Sequence, residues 1–246
     1  MICLENEHKE SKSGIPVVCF LMYFYCMEQP QIDHWRNLFI DWLNTNWAQD
    51  DKAHDLHHLH RVWRNCKKIA SEEQVHADML VLLTAAYFHD LVSLPKSDPD
   101  RKNSSWLSAE KTVDLLNKEF RKFPSEILPA VHHAIHAHSF SANVQTNSIE
   151  AAILQDADRM EALGAMGIAR LFYTAGLMGS NLYNADDPAA KHRILNDSSF
   201  ALDHIDVKLL KLPATMKTVS GRRMAETEAA YILDFKTKML KEITED

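Results

Sequence analysis

Residues 80–92 read LVLLTAAYFHDLV, a nearly all-apolar segment that ends in His89 and Asp90. Apolar side chains on every face place such a segment in the middle of a helical bundle, away from its surface. An imidazole and a carboxylate delivered side by side into that interior need a partner, because burying polar groups without one is costly. The partner this pair points to is a metal ion.

The flanking sequence is helical too. Trp35, Leu38, Phe39, Trp42 and Leu43 recur at the spacing of one helix face, with Asp33 placed as a cap. A second helix is expected from about Asp55 to Ser71, its apolar side carrying Leu59, Val62, Trp63, Cys66, Ile69 and Ala70. The third, from about His76 to Leu91, holds the opening stretch. A polar loop with Pro95, Lys96, Pro99, Arg101 and Lys102 leads to Ser104 and Ser105, the expected caps of a helix with the face Ala109, Val113, Leu116 and Phe120. Pro124 and Ser125 open a further helix that ends near His138. One long helical stretch is expected from about Ser148 to Thr174, then turns around Gly176, Gly179, Asp187 and Pro188. Two helices close the chain, about Ser199 to Lys211 and Pro213 to Ile243, with Pro213 in a tolerated first-turn position. No repeat, low-complexity linker or alternating strand pattern intervenes. The expected fold is an all-α single-domain helical bundle.

Composition narrows the functions open to such a bundle. At 246 residues and 46% hydrophobic content the chain can bury a full core as one domain or at most two small ones. A formal net charge of -7 supplies no basic footprint, so no nucleic-acid partner is expected. Cys3, Cys19, Cys26 and Cys66 crowd into the first quarter without CxxC spacing, which speaks against a disulfide framework and a thiolate zinc site and fits a reducing cytosol. No glycine occurs between Gly14 and Gly164, which leaves no P-loop and no dinucleotide fingerprint there. Nucleotide recognition must then use side chains. With no GxSxG elbow and no His-paired cysteine, covalent acyl chemistry loses most of its support.

The apolar run IPVVCFLMYFYCM, Ile15 to Met27, is too short to span a bilayer. It also lacks the basic start and the small-residue cleavage site of a signal peptide. The simplest reading takes Met27 as the natural start, residues 1–26 as a non-native or disordered extension, and 27–246 as the functional domain with a C-terminal helical extension. A membrane-surface or partner-binding segment is the alternative. No membrane partner is expected of the domain itself.

Nine of the fourteen histidines fall in three groups: His54, His57, His58 and His60; His89 before Asp90; then His132, His133, His136 and His138. One histidine on a helix is ordinarily a surface residue, but three clusters are harder to dismiss. His54-Asp55 repeats the His-Asp pair, yet it lies at the polar entry to a helix, where Asp55 serves as an N-cap. Imidazoles and carboxylates together suit Mn, Fe, Co, Ni or Zn, whereas a Ca site would be built of oxygens alone.

The order H…HD…D, carried by His58 within AHDLHHLHRVW, His89-Asp90 within AAYFHDLV and an aspartate within ILQDADRMEALGAMGIAR, resembles the HD-domain superfamily of metal-dependent phosphohydrolases, most closely its YedJ-like subgroup. The resemblance runs from about Asp33 to the C-terminal helix, taking in RKNSSWLSAE, HAHSFSA and KLLKLPATM, and leaves out residues 1–26. It implies an α-helical bundle holding a divalent metal, Mn first and Mg, Co, Ni, Fe or Zn as alternatives, on His58, His89, Asp90 and a last aspartate. Asp156 and Asp158 lie about 200° apart around a helix, so both cannot enter one small site. The family's last ligand is the aspartate of an Ala-Asp pair, which Ala157-Asp158 matches. Asp156 is left to orient a histidine or to stand exposed. His57 and His60 are expected at the surface, and His54 behind a ligand.

The implied activity is hydrolysis of a phosphate ester, a monoester or diester with a nucleotide foremost, by metal-activated water. Asp90, His133 and Arg61 are the expected catalytic residues, Arg61 because it lies one turn from His58. Arg101 and His138 are expected to bind substrate, with Lys102 an alternative to Arg101. Lys208, Lys211, Arg222 and Arg223 are expected to be solvated surface charges. Two other classes share the fold: a di-iron oxygenase with His133 and His138 on a second iron, and a nucleotide-binding sensor without turnover.

Overall fold

The structure is a computed structural model that describes residues 17–47, 55–73, 75–94, 98–139 and 142–244, with side chains from residue 29 onward. Cys3, Cys19, Cys26, His54 and Lys96 lie outside the described side chains, as do residues 1–16 of the expected extension. Apart from one isolated bridge between Asn181 and Phe200, the regular structure of the described residues is helical, and the fold is all-α. Among the described residues no helix is long and apolar enough to cross a membrane.

Helix α1 (Val17–Asn46) forms a compact unit of its own. Asp33 lies inside α1 and does not cap it, since the helix already runs through Met27; its carboxylate accepts a hydrogen bond from Gln29 Nε2 at 3.1 Å. Trp35 and Phe39, one turn apart, bring their rings to 5.9 Å.

The second unit, residues 47–246, holds the remaining helices. α2 (Leu56–Glu72) starts where Asp55 caps it, accepting the His58 N–H at 3.0 Å, and buries one stripe of His58, Leu59, Val62, Trp63, Cys66 and Ile69. α3 (Met79–Phe88) begins later than the apolar pattern predicts because Asp78 accepts the N–H groups of Leu80 and Val81 at 2.9 and 3.1 Å. Leu80 to Phe88 are all buried, so α3 presents no face to water.

Ser104 and Ser105 do not cap α4 (Ser104–Glu119). A 3-10 turn, Arg101–Asn103, precedes the helix, and Ser104 Oγ instead accepts from the Leu94 N–H at 3.4 Å. Ser108 accepts from the Val92 N–H at 3.0 Å and donates to the Val92 carbonyl at 3.1 Å, which ties the chain after His89-Asp90 to α4. The α4 face that this creates is Ser105, Ser108, Ala109, Thr112, Leu115 and Leu116; Val113 and Phe120 stand at its edge.

α5 (Leu128–His138) follows a 3-10 turn at Ser125–Ile127, and α6 (Ile149–Met160) is capped by Ser148, which accepts the Ala151 N–H at 3.2 Å. The long helix expected from Ser148 to Thr174 is two helices, α6 and α7 (Gly164–Leu177). Gly164 makes the break at φ +64°, a conformation that residues with a Cβ adopt at a cost.

α8 (Ala201–Val207) leads to a 3-10 segment, Leu209–Thr215, which contains Pro213; the last helix, α9 (Val219–Thr244), starts six residues beyond that proline. Asp156 explains the start of α9. Its carboxylate accepts the N–H groups of Lys217 and Thr218, each at 2.8 Å, and the Thr218 hydroxyl at 2.8 Å. Asp156 is therefore neither exposed nor a support for a histidine: it anchors the turn into α9. Gly221 permits the approach, since a Cβ there would lie 2.6 Å from Asp156 Oδ2.

α2, α3, α5 and α6 pack on one another, and α4 covers α5. α7, α8, the 3-10 segment and α9 enclose a second core that includes Ile168, Leu202, Ile205, Leu209, Met216, Ala225 and Ile232.

Candidate metal centre

Four helix ends meet at one point. His58 comes from the first turn of α2, His89 and Asp90 follow the last residue of α3, His138 is the last residue of α5, and Asp158 lies in the last turn of α6. Three of these ends are C-terminal, where unpaired carbonyls leave a partial negative charge that favours a cation.

The side chains close to short range. His58 Nε2 lies 3.3 Å from His89 Nε2, 3.8 Å from Asp90 Oδ2 and 3.6 Å from Asp158 Oδ1. His89 Nε2 is 3.5 Å from Asp90 Oδ2 and 3.8 Å from Asp158 Oδ1. His138 Nε2 approaches the other oxygen, Asp90 Oδ1, at 3.8 Å, with its ring edge-on to His89. Two triads, His58-His89-Asp90 and His89-His138-Asp158, each bring ligand atoms close enough to hold an ion.

What the outer ring nitrogens touch decides what the inner ones can do. His89 Nδ1 lies 3.0 Å from the Ala86 carbonyl and His138 Nδ1 lies 2.5 Å from the Ile135 carbonyl, and a carbonyl can only accept. His58 Nδ1 lies 3.3 Å from Glu161 Oε2, again an acceptor when ionised. Protons on Nδ1 of His89 and His138 leave their Nε2 lone pairs aimed into the cluster, while Nδ1 of His58 meets both an acceptor, Glu161 Oε2, and a donor, Arg170 Nη1 at 3.1 Å, and gives its proton to the first when Nε2 carries a lone pair. Such a cluster of acceptors lacks a positive charge at its centre, and a divalent cation fits that need.

The electrostatics keep these groups ready to ligate. Burial pushes His58 and His138 below the ordinary imidazole range, against the pull of Glu161 on the first and despite Asp90 beside the second. Burial works in the opposite direction on Glu161, but the His58 hydrogen bond and Arg61 outweigh it and hold the carboxyl below its ordinary range. Asp158 also sits low, because the imidazoles of His89, His58 and His138 outweigh its burial.

Not every residue singled out in the sequence reaches this point. Arg61 Nε donates to Glu161 Oε2 at 2.7 Å, which places the guanidinium behind His58. His133 precedes His138 by five residues, about 140° around α5. It turns to the Asn147 N–H, accepting it at 3.1 Å. Arg101 stands exposed on the 3-10 turn before α4, at the wall of a cavity. His57 is exposed as expected, and His60 is half-buried, its Nδ1 pairing with the hydroxyl of buried Tyr87 at 2.8 Å.

Two residues at the centre were missed. Glu161 holds His58 Nδ1, and Arg170 reaches the same nitrogen at 3.1 Å and Glu161 Oε2 at 3.6 Å. Glu161 follows Asp158 by three residues, a spacing that shares a helix side and could have marked it. Nothing local marks Arg170, which arrives only because the chain turns at Gly164.

The HD domain family profile matches residues 55–163, a span that contains all five cluster residues. The uncharacterized protein YpgQ of Bacillus subtilis (strain 168) is 32% identical over 206 residues, which cover 82% of this chain and 90% of YpgQ. The crystal structure of YpgQ in complex with ADP superposes with a TM-score of 0.62 at 29% identity, covering 89% of this chain and 97% of that one. An HD-superfamily hydrolase from Bacillus thuringiensis gives a TM-score of 0.64 at 28% identity, covering 89% and 100%. Sequence, fold and cluster agree, and the chain belongs to the HD domain family.

Proposed function

We propose that this protein is a metal-dependent phosphohydrolase that uses water to cleave a phosphate ester, a nucleotide foremost, with His58, His89, Asp90 and Asp158 as the metal ligands and Mn as the first candidate ion. The observation that carries the reading is the convergence of imidazole Nε2 atoms and carboxylate oxygens within 3.3 to 3.8 Å. Its similarity to an HD-superfamily hydrolase supports the reaction class, and the ADP complex of YpgQ supports a nucleotide.

A divalent ion at this cluster would acidify a bound water and polarise a phosphoryl oxygen. The chain's own residues do the rest. Glu161 keeps the proton of His58 on Nδ1, so that Nε2 remains a ligand, and Arg61 and Arg170 hold Glu161 ionised. Asp90 turns Oδ2 toward His58 and His89 and Oδ1 toward His138. His138 Nε2 can thus take a proton at the edge of the cluster, a role in proton transfer more than in substrate binding. Arg61 acts through Glu161 as a positioning residue.

The test is hydrolysis of a panel of nucleoside mono-, di- and triphosphates and phosphodiesters with Mn, Mg, Co or Ni. Activity is expected with at least one pairing and is abolished in Asp90→Ala and Asp158→Ala variants that remain folded by circular dichroism. Unchanged turnover in both variants would refute the site. Silence across the panel with metal bound would favour a nucleotide-binding sensor. The seat of His138 at the cluster keeps the oxygenase reading in view, and that reading requires about two irons per chain in protein purified without oxygen.

A further inference from the structure

A cavity of about 440 Å³ lies between the 3-10 turn at Arg101–Asn103, α7 and α8, within the size range of small-molecule sites. Its wall carries three cationic side chains, Arg101, Arg170 and Lys208. The one carboxylate in the lining, Asp197, already pairs with His204, Oδ2 to Nδ1 at 2.9 Å. Among the described residues no carboxylate pairs with Arg101 or Lys208. On a chain with a net charge of -7, Arg101 and Lys208 at one concavity, with Asp197 turned to His204 and Arg170 shared with Glu161, make a local positive site.

Position connects this cavity to the cluster. Arg170 lines it and at the same time places Nη1 3.1 Å from Nδ1 of His58. The cavity is therefore one side chain away from a proposed metal ligand. Thr174 adds a hydroxyl that can donate to an anion, whereas the Ser180 and Ser198 hydroxyls already donate to the Ser198 carbonyl and to Asn196 Oδ1.

We propose that this cavity is an anion-recognition pocket in which Arg101 and Lys208 bind an anionic group of the substrate other than the phosphate that reacts at the cluster. The proposal rests on the phosphohydrolase reading and adds to it a class of substrate, one that carries two separate anionic groups. It also gives a role to Lys208, whose amphipathic surroundings in the sequence mark it only as a solvated charge. Arg and Lys suit the task, since both make charge-assisted hydrogen bonds to phosphate or carboxylate oxygens.

The experiment uses the full chain freed of metal with a chelator and titrated with inorganic pyrophosphate by calorimetry. The wild type is expected to bind. Arg101→Ala and Lys208→Ala each weaken binding by roughly tenfold, the worth of one charge-assisted hydrogen bond. Lys118→Ala, which removes an exposed cation on α4, leaves binding at the wild-type level. Failure of the wild type to bind at millimolar pyrophosphate, unchanged binding in both pocket variants, or an equal loss in the Lys118 variant would each overturn the pocket. Failure of the phosphohydrolase reading shows itself separately, as missing turnover with metal present while metal-free pyrophosphate binding stays sensitive to Arg101 and Lys208.

Discussion

The three imidazoles of the cluster differ in what holds their outer nitrogens. His89 and His138 use main-chain carbonyls of their own helices, three residues back, so their tautomers come with the local backbone. His58 depends on Glu161, a residue 103 positions away and itself held by Arg61 and Arg170. The metal affinity of the site should therefore be most sensitive to substitution at Glu161. Glu161→Gln preserves shape and removes the charge that stabilises the Nδ1 proton of His58. Mn binding measured by calorimetry is expected to weaken about 10- to 100-fold, the usual effect of losing a partner behind a ligand, with the fold intact. An unchanged affinity would mean that His58 needs no such support.

At the scale of elements, the break between α6 and α7 carries the most consequence. A continuous helix from Ser148 to Thr174 would send Arg170 off in a direction set by α6. The turn at Glu161 to Leu163 and the left-handed Gly164 bring α7 back so that Arg170 meets His58. Gly164→Ala is expected to lower stability by about 1–2 kcal/mol through the left-handed backbone alone. The added Cβ also meets Glu228 Oε2 at 2.2 Å, although that flexible side chain can move aside. Urea midpoints of Gly164→Ala and of Gly164→Ala combined with Glu228→Ala separate the two effects. If the double variant recovered full stability, the clash would be the cause and the backbone argument would fail.

For the molecule as a whole, the buried histidines tie stability to pH and to metal. Burial holds His58 and His138 below the ordinary imidazole value of 6.5 in the folded protein, while the unfolded chain titrates near that value. Below it the unfolded chain takes up protons that the folded one refuses, so unfolding is favoured as pH falls. Metal-free protein should keep its full stability above about pH 6.5 and lose it progressively as pH drops toward the depressed values. Added Mn should raise Tm near neutral pH, and that gain should hold through this window and shrink as pH falls through the depressed folded values, where protons begin to compete with metal for the Nε2 atoms. Thermal melts from pH 8 to pH 5.5, with chelator and with Mn, check both slopes. A metal-free Tm that rises as pH drops below 6.5 would contradict the burial argument.

Periodicity alone made the helical class, the buried middle helix and the Asp55 cap legible, because each depends on residues within a few positions of one another. The H…HD…D order marked His58, His89, Asp90 and Asp158, which meet in the fold, for the same reason that a short motif can be read at all: each residue sits in its own recognisable local context. What depends on a long-range meeting stayed hidden. Glu161 and Arg170 have no motif of their own, Asp156 gained its role from a turn some sixty residues later, and Lys208 became part of a cavity wall only when α8 was placed beside α7. His133 and His138 share one cluster in the sequence and separate by rotation around α5 in the fold. Sequence determined which chemistry the chain carries, because residue type and spacing are local properties. Tertiary structure decided which side chains face that chemistry, because helix breaks and packing, and no local signal, set where a distant side chain arrives.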